Sequence, residues 1–174
     1  IHQNGYWDEQ VLDNSFELKI SLADKLKNNR QVKVIVPRLE TFVLASKGNT
    51  TKGCMLVGTD AVKENNLTQL KSKLIKGSYF KNDEEAVLLS EGLAKRLNVT
   101  VNDTIVLFGQ GFHGVMAAGK YNIKGIIHLA SPAMNDAFVY LPLAATQYFL
   151  SAENRLTSVS LGIDTPENTN TIVQ

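Results

Sequence analysis

Cysteine, proline and tryptophan are scarce: the 174 residues include one cysteine, four prolines and one tryptophan. Because Cys54 has no second cysteine to pair with and lies among apolar neighbours, it is expected to be a small buried hydrophobic residue. No apolar run approaches the roughly 20 residues that a transmembrane helix needs. An excess of one charge is missing too, since 18 Lys and Arg balance 17 Asp and Glu. Such a chain is not attracted broadly to nucleic acid or anionic lipid, so nucleic acid is not a predicted partner.

Motifs for catalysis or cofactor binding are also missing. Without a G-x-x-x-x-G-K-[ST] loop, the chain is not expected to bind ATP through such a loop. His2, His113 and His128 lack the spacing of a zinc site. Ser90 could be nominated as a nucleophile, but it lacks the G-x-S-x-G context and is better explained as a helix N-cap. The acidic run at 83–85 is expected to be a solvated turn, so the sequence predicts no enzyme, no metal and no cofactor.

One glycine-rich segment does match a nucleotide-binding pattern. Residues 109–114 read G-x-G-x-x-G after an expected strand, as in a dinucleotide-binding unit. That unit continues into a full helix, whereas Gly119 interrupts this segment and strand-forming residues follow directly. The segment is therefore predicted to be the flexible tip of a hairpin.

Alternation and helical periodicity predict a mixed chain in which strands outnumber helices. Strands are expected at 31–36 with an end at Pro37, and at 39–46, 52–57, 86–89, 104–108, 121–129, 137–141 and 156–163. Helices are expected at 16–26, at 60–74 with a stop near Gly77, from the Ser90 cap to Asn98, and from Pro142 to Leu150. The polar segment 47–51 should join two strands in a hairpin. The predicted fold class is α+β.

The strongest local pattern runs from Glu85 to Leu107, as a short buried strand, a helix, and a turn at Asn102 into the next strand. This block resembles the strand, G-L-A-x-x-L helix and G-D turn of the MacB-like periplasmic core domain, found in ABC transporter permeases of the MacB/LolC/LolE/FtsX superfamily. Asn102 stands where the family usually has glycine, and asparagine tolerates the same left-handed conformation. Further stretches agree with the family in order and spacing: Val57–Asp60, Tyr121–Ile127 and Phe138–Gln147.

The resemblance implies a two-part domain outside the cytoplasmic (inner) membrane, between the first and second transmembrane helices of a permease. A porter-like α/β subdomain would take residues 1–38 and 155–174, and an inserted β-rich, Sabre-like subdomain would take 39–154. Both ends of the sequence look cut, as expected for a segment trimmed from a longer protein. The implied partners are a cytoplasmic ATPase subunit, a second permease subunit and a periplasmic lipoprotein carrier or cargo.

The function implied by the resemblance is mechanical. ATP hydrolysis by the partner would move the flanking helices and change how paired extracytoplasmic domains stand together. Within the superfamily, residues 1–7 and 110–114 are most similar to the lipoprotein-releasing LolC/LolE branch. MacB-like efflux of peptides or drugs, FtsX-like regulation of cell-wall hydrolases and a free-standing hydrolase are the alternatives.

The hairpin tip is the candidate partner-contact site. It carries apolar side chains among glycines, where a simple turn would be short and polar. Apolar side chains on a loop often mark a contact surface, and in the LolC/LolE branch the equivalent hairpin engages a periplasmic carrier. The alternative is that these side chains fold back onto the domain or pack against the second permease subunit. The candidate residues are Gln110, Phe112, His113, Val115 and Met116.

Overall fold

The computed structural model describes residues 1–2 and 12–163 and confirms the α+β class. The strands in these residues are β1 (Phe16–Glu17), β2 (Val32–Lys47), β3 (Thr50–Thr59), β4 (Leu74–Gly77), β5 (Ala86–Ser90), β6 (Thr104–Gln110), β7 (Met116–Ile127), β8 (Phe138–Pro142), β9 (Arg155–Leu156) and β10 (Ser158–Ile163). The α-helices are α1 (Ile20–Asn28), α2 (Ala61–Thr68), α3 (Glu91–Leu97), α4 (Pro132–Asn135) and α5 (Leu143–Phe149). Short 3-10 helices lie at Leu12–Asn14, Leu70–Lys73 and Phe112–Gly114. In the described ranges, no helix has both the length and the apolar character that crossing a bilayer requires.

Six strands of the main sheet pair in a closed ring, in the order β2–β3–β8–β5–β7–β6. The ring closes where β6 returns to β2 at residues 44–46. Outside the ring, β10 pairs with the first part of β2 and β4 pairs with β7, while β1 and β9 form a separate two-stranded ladder. Closing the ring removes most of the free strand edges that would invite unwanted pairing.

The ring carries apolar side chains on both surfaces and packs against two hydrophobic clusters. Successive residues of a strand point to opposite faces, and β5 shows both directions. Val87 and Leu89 belong to the first cluster, whereas Leu88 belongs to the second. Leu93 of α3 and Phe149 of α5 complete the first cluster. The second cluster includes side chains of α2 and of the segment that follows it to residue 80.

A buried ion pair ties β2 to α2. Glu64 is 1% exposed and accepts hydrogen bonds from Nε and Nη2 of Arg38, at 2.9 and 2.8 Å. The hydroxyls of Thr59 and Thr68 donate to the same carboxylate, each at 3.0 Å. These donors satisfy a charge that would be costly to bury alone. Burial acts to lower the pKa of Arg38, but the hydrogen bond and charge of Glu64 outweigh it and raise that pKa above its usual value.

Several sequence predictions are confirmed. The 39–46 and 52–57 strands form a hairpin that turns at Gly48 and Asn49, and the strand-helix pair at 86–97 is present. Asn98 ends α3 with a left-handed backbone, φ 53°, and Asn102 adopts φ 72° in the turn before β6. Asn102 therefore adopts the left-handed conformation that the resemblance predicted for this turn.

Two predictions near the start of the chain are wrong. The helix expected at 16–26 begins at Ile20, because Phe16 and Glu17 pair with β9 instead. Pro37 does not end the strand, which continues to Lys47. Pro37 lies opposite Val159 of β10, whose amide and carbonyl both bond to Ile1, and the pairing of β2 with β3 starts only at the next residue. The missing amide of proline is therefore not needed by either ladder.

The helix stop near Gly77 is also misplaced. α2 ends at Thr68, and its C-cap residue Gln69 is left-handed with φ 54°. Gly77, with φ 78°, belongs to β4, a strand that was not predicted from the sequence. The division into 1–38 with 155–174 and 39–154 stays a prediction, and β2 runs without interruption across residues 38 and 39. Residues 3–7, part of the similarity to the LolC/LolE branch, lie outside the described residues.

Glu64→Ala is expected to lower the free energy of unfolding by about 3 kcal/mol, because it leaves the partly buried Arg38 charge without its partner. Urea denaturation followed by circular dichroism measures this change. The matched control is Lys95→Ala, which breaks the exposed Lys95–Glu91 pair and should cost no more than about 0.5 kcal/mol. Equal losses in the two variants would contradict the role assigned to Glu64.

Candidate contact surface

The predicted contact tip lies where β6 turns into β7. Residues 111–115 connect the strands, and the amide of Gly111 donates to the carbonyl of Val115 at 2.6 Å. His113 and Gly114 have left-handed backbones, with φ of 55° and 74°. Glycine adopts this conformation at little cost, so Gly114 makes the reversal easy. The G-x-G-x-x-G segment is thus a compact strand-to-strand turn, as the sequence context predicted, and β7 follows it directly.

Phe112 folds back from the tip onto the domain. Its amide donates to the carbonyl of Leu150 at 2.8 Å, and its ring packs against the first hydrophobic cluster. The guanidinium carbon of Arg155 lies 4.2 Å from the ring centroid, in a cation–π contact. The Ser15 hydroxyl accepts a hydrogen bond from the same guanidinium at 2.6 Å and holds it in place. Phe112 therefore folds back onto the domain, which was the alternative to a partner contact.

Other tip residues reach outward. Val115 is 50% exposed and Met116 is 86% exposed. Met116 pairs with Gln110 across the ladder, and both line an open groove. The amide of His113 donates to Asp13 at 2.9 Å, and its Nδ1 lies 3.7 Å from the same carboxylate. The five candidate residues therefore do not form one surface, and the partner-contact role stays a prediction for the outward ones.

The groove beside the tip has a volume of about 850 Å³ and a mainly apolar lining. Small-molecule sites commonly enclose roughly 300–1,000 Å³. The lining includes Phe42 and Leu44 of β2, which are 62% and 43% exposed, and Phe108 of β6, which is 42% exposed. No motif in the sequence indicates this groove.

Strand register explains why these side chains meet. Residues opposite each other in a ladder lie on the same face of the sheet. Phe42 is opposite Met55, and Leu44 is opposite both Gly53 and Phe108. The Phe42 ring lies over Gly53, where an added Cβ would come within 2.5 Å of it. The absent side chain of Gly53 therefore leaves room for the aromatic ring in this row.

The groove is continuous with the second hydrophobic cluster. Met55 and Phe138 are partners across β3 and β8, pack against the second cluster, and also line the groove. The segment from α2 to residue 80 packs against part of this surface. The part that includes Phe42 and Phe108 remains exposed.

The charged side chains among the described residues that line the groove are Asp13 and Glu40, both acidic. The hydroxyl of Ser158 donates to Oε2 of Glu40 at 2.8 Å, and the amide of His113 holds Asp13. Because Glu40 is two residues before Phe42, both side chains point to the same face of β2. A carboxylate therefore stands at the end of the apolar row.

The other potentially reactive side chains make contacts that stabilise the fold. Cys54 is fully buried as predicted, and burial raises the pKa of its thiol to about 12. Hydrogen bonds from Lys95 and His128 lower the pKa of the partly exposed Glu91 carboxylate to about 2. In residues 1–2 and 12–163, no three His, Cys, Asp or Glu side chains gather as a metal site would require.

Ser90 stands at the N-cap position of α3 but does not cap it, so the predicted role was wrong. No side-chain cap bond forms, and the fully buried hydroxyl instead accepts the amide of Phe138 at 3.1 Å. Ser90 therefore joins β5 to the beginning of β8. The sequence could not show this partner, which is 48 residues away in the chain.

A ring of strands braced by helices, with an apolar groove on its outer surface, defines a mixed α+β domain suited to contacting other molecules. The sequence matches the family model of the MacB-like periplasmic core domain over residues 3–174. The chain belongs to this family. No curated protein sequence matches it.

Two similar solved structures share the fold. One is the extracellular domain of the noncanonic ABC-type transporter YknZ from Gram-positive bacteria, with 15% identity, a TM-score of 0.66, and coverage of 91% of this chain and 78% of that chain. The other is the periplasmic region of MacB from Actinobacillus actinomycetemcomitans, with 18% identity, a TM-score of 0.64, and coverage of 98% of this chain and 75% of that chain.

Ser90→Ala is expected to lower the free energy of unfolding by about 1–2 kcal/mol, because the partly buried Phe138 amide loses its acceptor. Ser72→Ala is the control, since the Ser72 hydroxyl donates to Gln69 in an exposed turn. The control should change stability by less than about 0.5 kcal/mol. A Ser90 variant as stable as the Ser72 variant would show that the Phe138 bond contributes little.

The two sides of the tip should respond differently to substitution. Phe112→Ala is expected to lower the melting temperature by several degrees, because it removes a ring that packs against the core and Arg155. Met116→Ser should leave melting nearly unchanged, since that side chain is 86% exposed. Differential scanning calorimetry measures both. An unchanged melt for Phe112→Ala would mean that the ring is dispensable to the fold.

Proposed function

We propose that this chain is the extracytoplasmic domain of an ABC transporter permease in the inner membrane, where it couples cytoplasmic ATP hydrolysis to the handling of a cargo. The family match over residues 3–174 carries the proposal. The shared fold of the YknZ and MacB domains supports it. The proposed partners are a cytoplasmic ATPase subunit and a second permease subunit. The domain acts through contact and movement, and it needs no catalytic group of its own.

The strand pairing supports a mechanical role. The amide of Val159 in β10 donates to the carbonyl of Ile1 at 2.7 Å, and His2 bridges to Ser158. The first residues of the chain are thus bound to the last described strand. β10 pairs in turn with β2 over residues 32–38, and β2 continues into the groove. A displacement of the segment before residue 1 or after β10 would therefore move β10. Because β10 pairs with β2, the movement would reach the part of β2 that lines the groove.

The cargo proposed for this permease is a lipoprotein, delivered to a periplasmic carrier as in the LolC/LolE branch. The exposure of Val115 and Met116 supports a contact at the tip, because apolar side chains on a loop are kept in water at a cost in solubility. Phe112 anchors the turn by its contacts with Leu150 and Arg155. The anchored turn presents the two outward side chains in a fixed position.

Site-specific photo-crosslinking in the full-length permease tests the tip contact. A photoreactive side chain at position 116 is expected to capture a lipoprotein or its carrier in cells, identified by mass spectrometry. Position 148 is the matched control, because Tyr148 of α5 is 85% exposed and Met116 is 86% exposed. Equal capture of the same protein from both positions, or capture only of a second permease subunit at 116, would contradict the tip contact.

A further inference from the structure

We propose that the groove beside the tip binds a small cationic amphiphile, a molecule with an apolar or aromatic body and a protonated amine. The groove is formed by residues of β2, β3, β6 and β8 on the outer surface of the ring, together with Asp13 and the tip. This assignment differs from the contact proposed for the tip, because it concerns a small molecule held on the sheet face.

The apolar part of the ligand is inferred from the sheet face. Phe42, Leu44 and Phe108 remain 42–62% exposed although they belong to β2 and β6, which are paired strands of the closed ring. Strands fix these side chains more firmly than a loop would, so the site is formed before a ligand arrives. Filling a groove of about 850 Å³ would remove these side chains from water, which supplies the main binding free energy.

The positive charge of the ligand is inferred from the acidic lining. Glu40 and Asp13 are the charged side chains among the described groove-lining residues, and both are carboxylates. Each is held in position by this chain, Glu40 by the Ser158 hydroxyl at 2.8 Å and Asp13 by the His113 amide at 2.9 Å. An apolar surface flanked by fixed carboxylates favours an ammonium group over a carboxylate or a neutral head.

The role of this site rests on the proposed transport function, in which the ligand is a cargo or a regulator of transport. The residues that line the groove belong to this chain. The 174-residue chain can therefore be tested alone, and failure to bind would leave the permease assignment intact. Conversely, loss of the tip contact in cells would leave the groove proposal standing.

The test uses two probes of equal chain length and opposite charge, decylammonium and decanoate, below their micelle-forming concentrations. Isothermal titration calorimetry at neutral pH and low salt measures both. Decylammonium is expected to bind at least tenfold more tightly than decanoate. The difference should shrink as salt screens the carboxylates, because these charges lie near the surface.

Two double variants separate the apolar and charged contributions. Phe42→Ser/Phe108→Ser is expected to weaken decylammonium binding by about thirtyfold or more through lost apolar contact. Asp13→Asn/Glu40→Gln should weaken it by about tenfold, from about threefold for each partly exposed charge.

The controls are Ile20→Ser/Tyr148→Ser and Asp24→Asn/Glu153→Gln, which change exposed residues outside the groove lining. They should bind the probe like the unchanged chain.

Three results would overturn the proposal. One is binding of decanoate as tight as that of decylammonium, which would remove the charge selectivity. Another is the absence of binding by either probe up to millimolar concentration, with circular dichroism showing a folded chain. The last is a dimer in sedimentation experiments that Phe42→Ser/Phe108→Ser dissociates, since the occupant of the groove would then be a second copy of this chain.

Discussion

The continuous strand β2 is the element on which the rest of the structure depends. Residues 38–47 of this 16-residue strand pair with β3 along one edge, while β10 pairs with residues 32–38 and β6 with residues 44–46. The same strand therefore belongs both to the closed ring and to the sheet beyond it. The Arg38–Glu64 pair lies at the point where these two parts meet, and it fixes α2 against the strand there. A break in β2 would separate the ring from the residues that join it to the chain ends.

Most of the elements could be predicted from the sequence because their signals are local. The alternation around 104–108, the turn at Gly48 and the left-handed Asn98 depend on residues within a few positions of each other. The failures arise from distant partners. Phe16 pairs with Leu156 instead of starting a helix. Pro37 stays within a strand because Val159, its neighbour in β10, bonds to Ile1 instead and does not need the proline amide. Periodicity within a window contains no information about either partner.

The contact surface was less predictable than the fold. The sequence analysis singled out the tip, yet Phe112 turned inward because Leu150 and Arg155 hold it, and both lie about 40 residues further along the chain. The groove was missed because Phe42 and Leu44 read as ordinary strand residues. One local signal was available: residues 42–45 are apolar at every position, which indicates a strand with hydrophobic groups on both faces. Which face stays uncovered depends on the packing of α2, and that is a property of the whole fold.

The outer surface joins the two proposed roles through shared residues. Met55 and Phe138 belong both to the covered cluster and to the open groove, so a molecule in the groove would pack against side chains already held by the segment after α2. Arg38 joins β2 to α2 on the strand that carries Phe42, and Ser158 contacts Glu40 from the strand that binds the first residues. The groove and the first residues of the chain are therefore connected through β2 and β10.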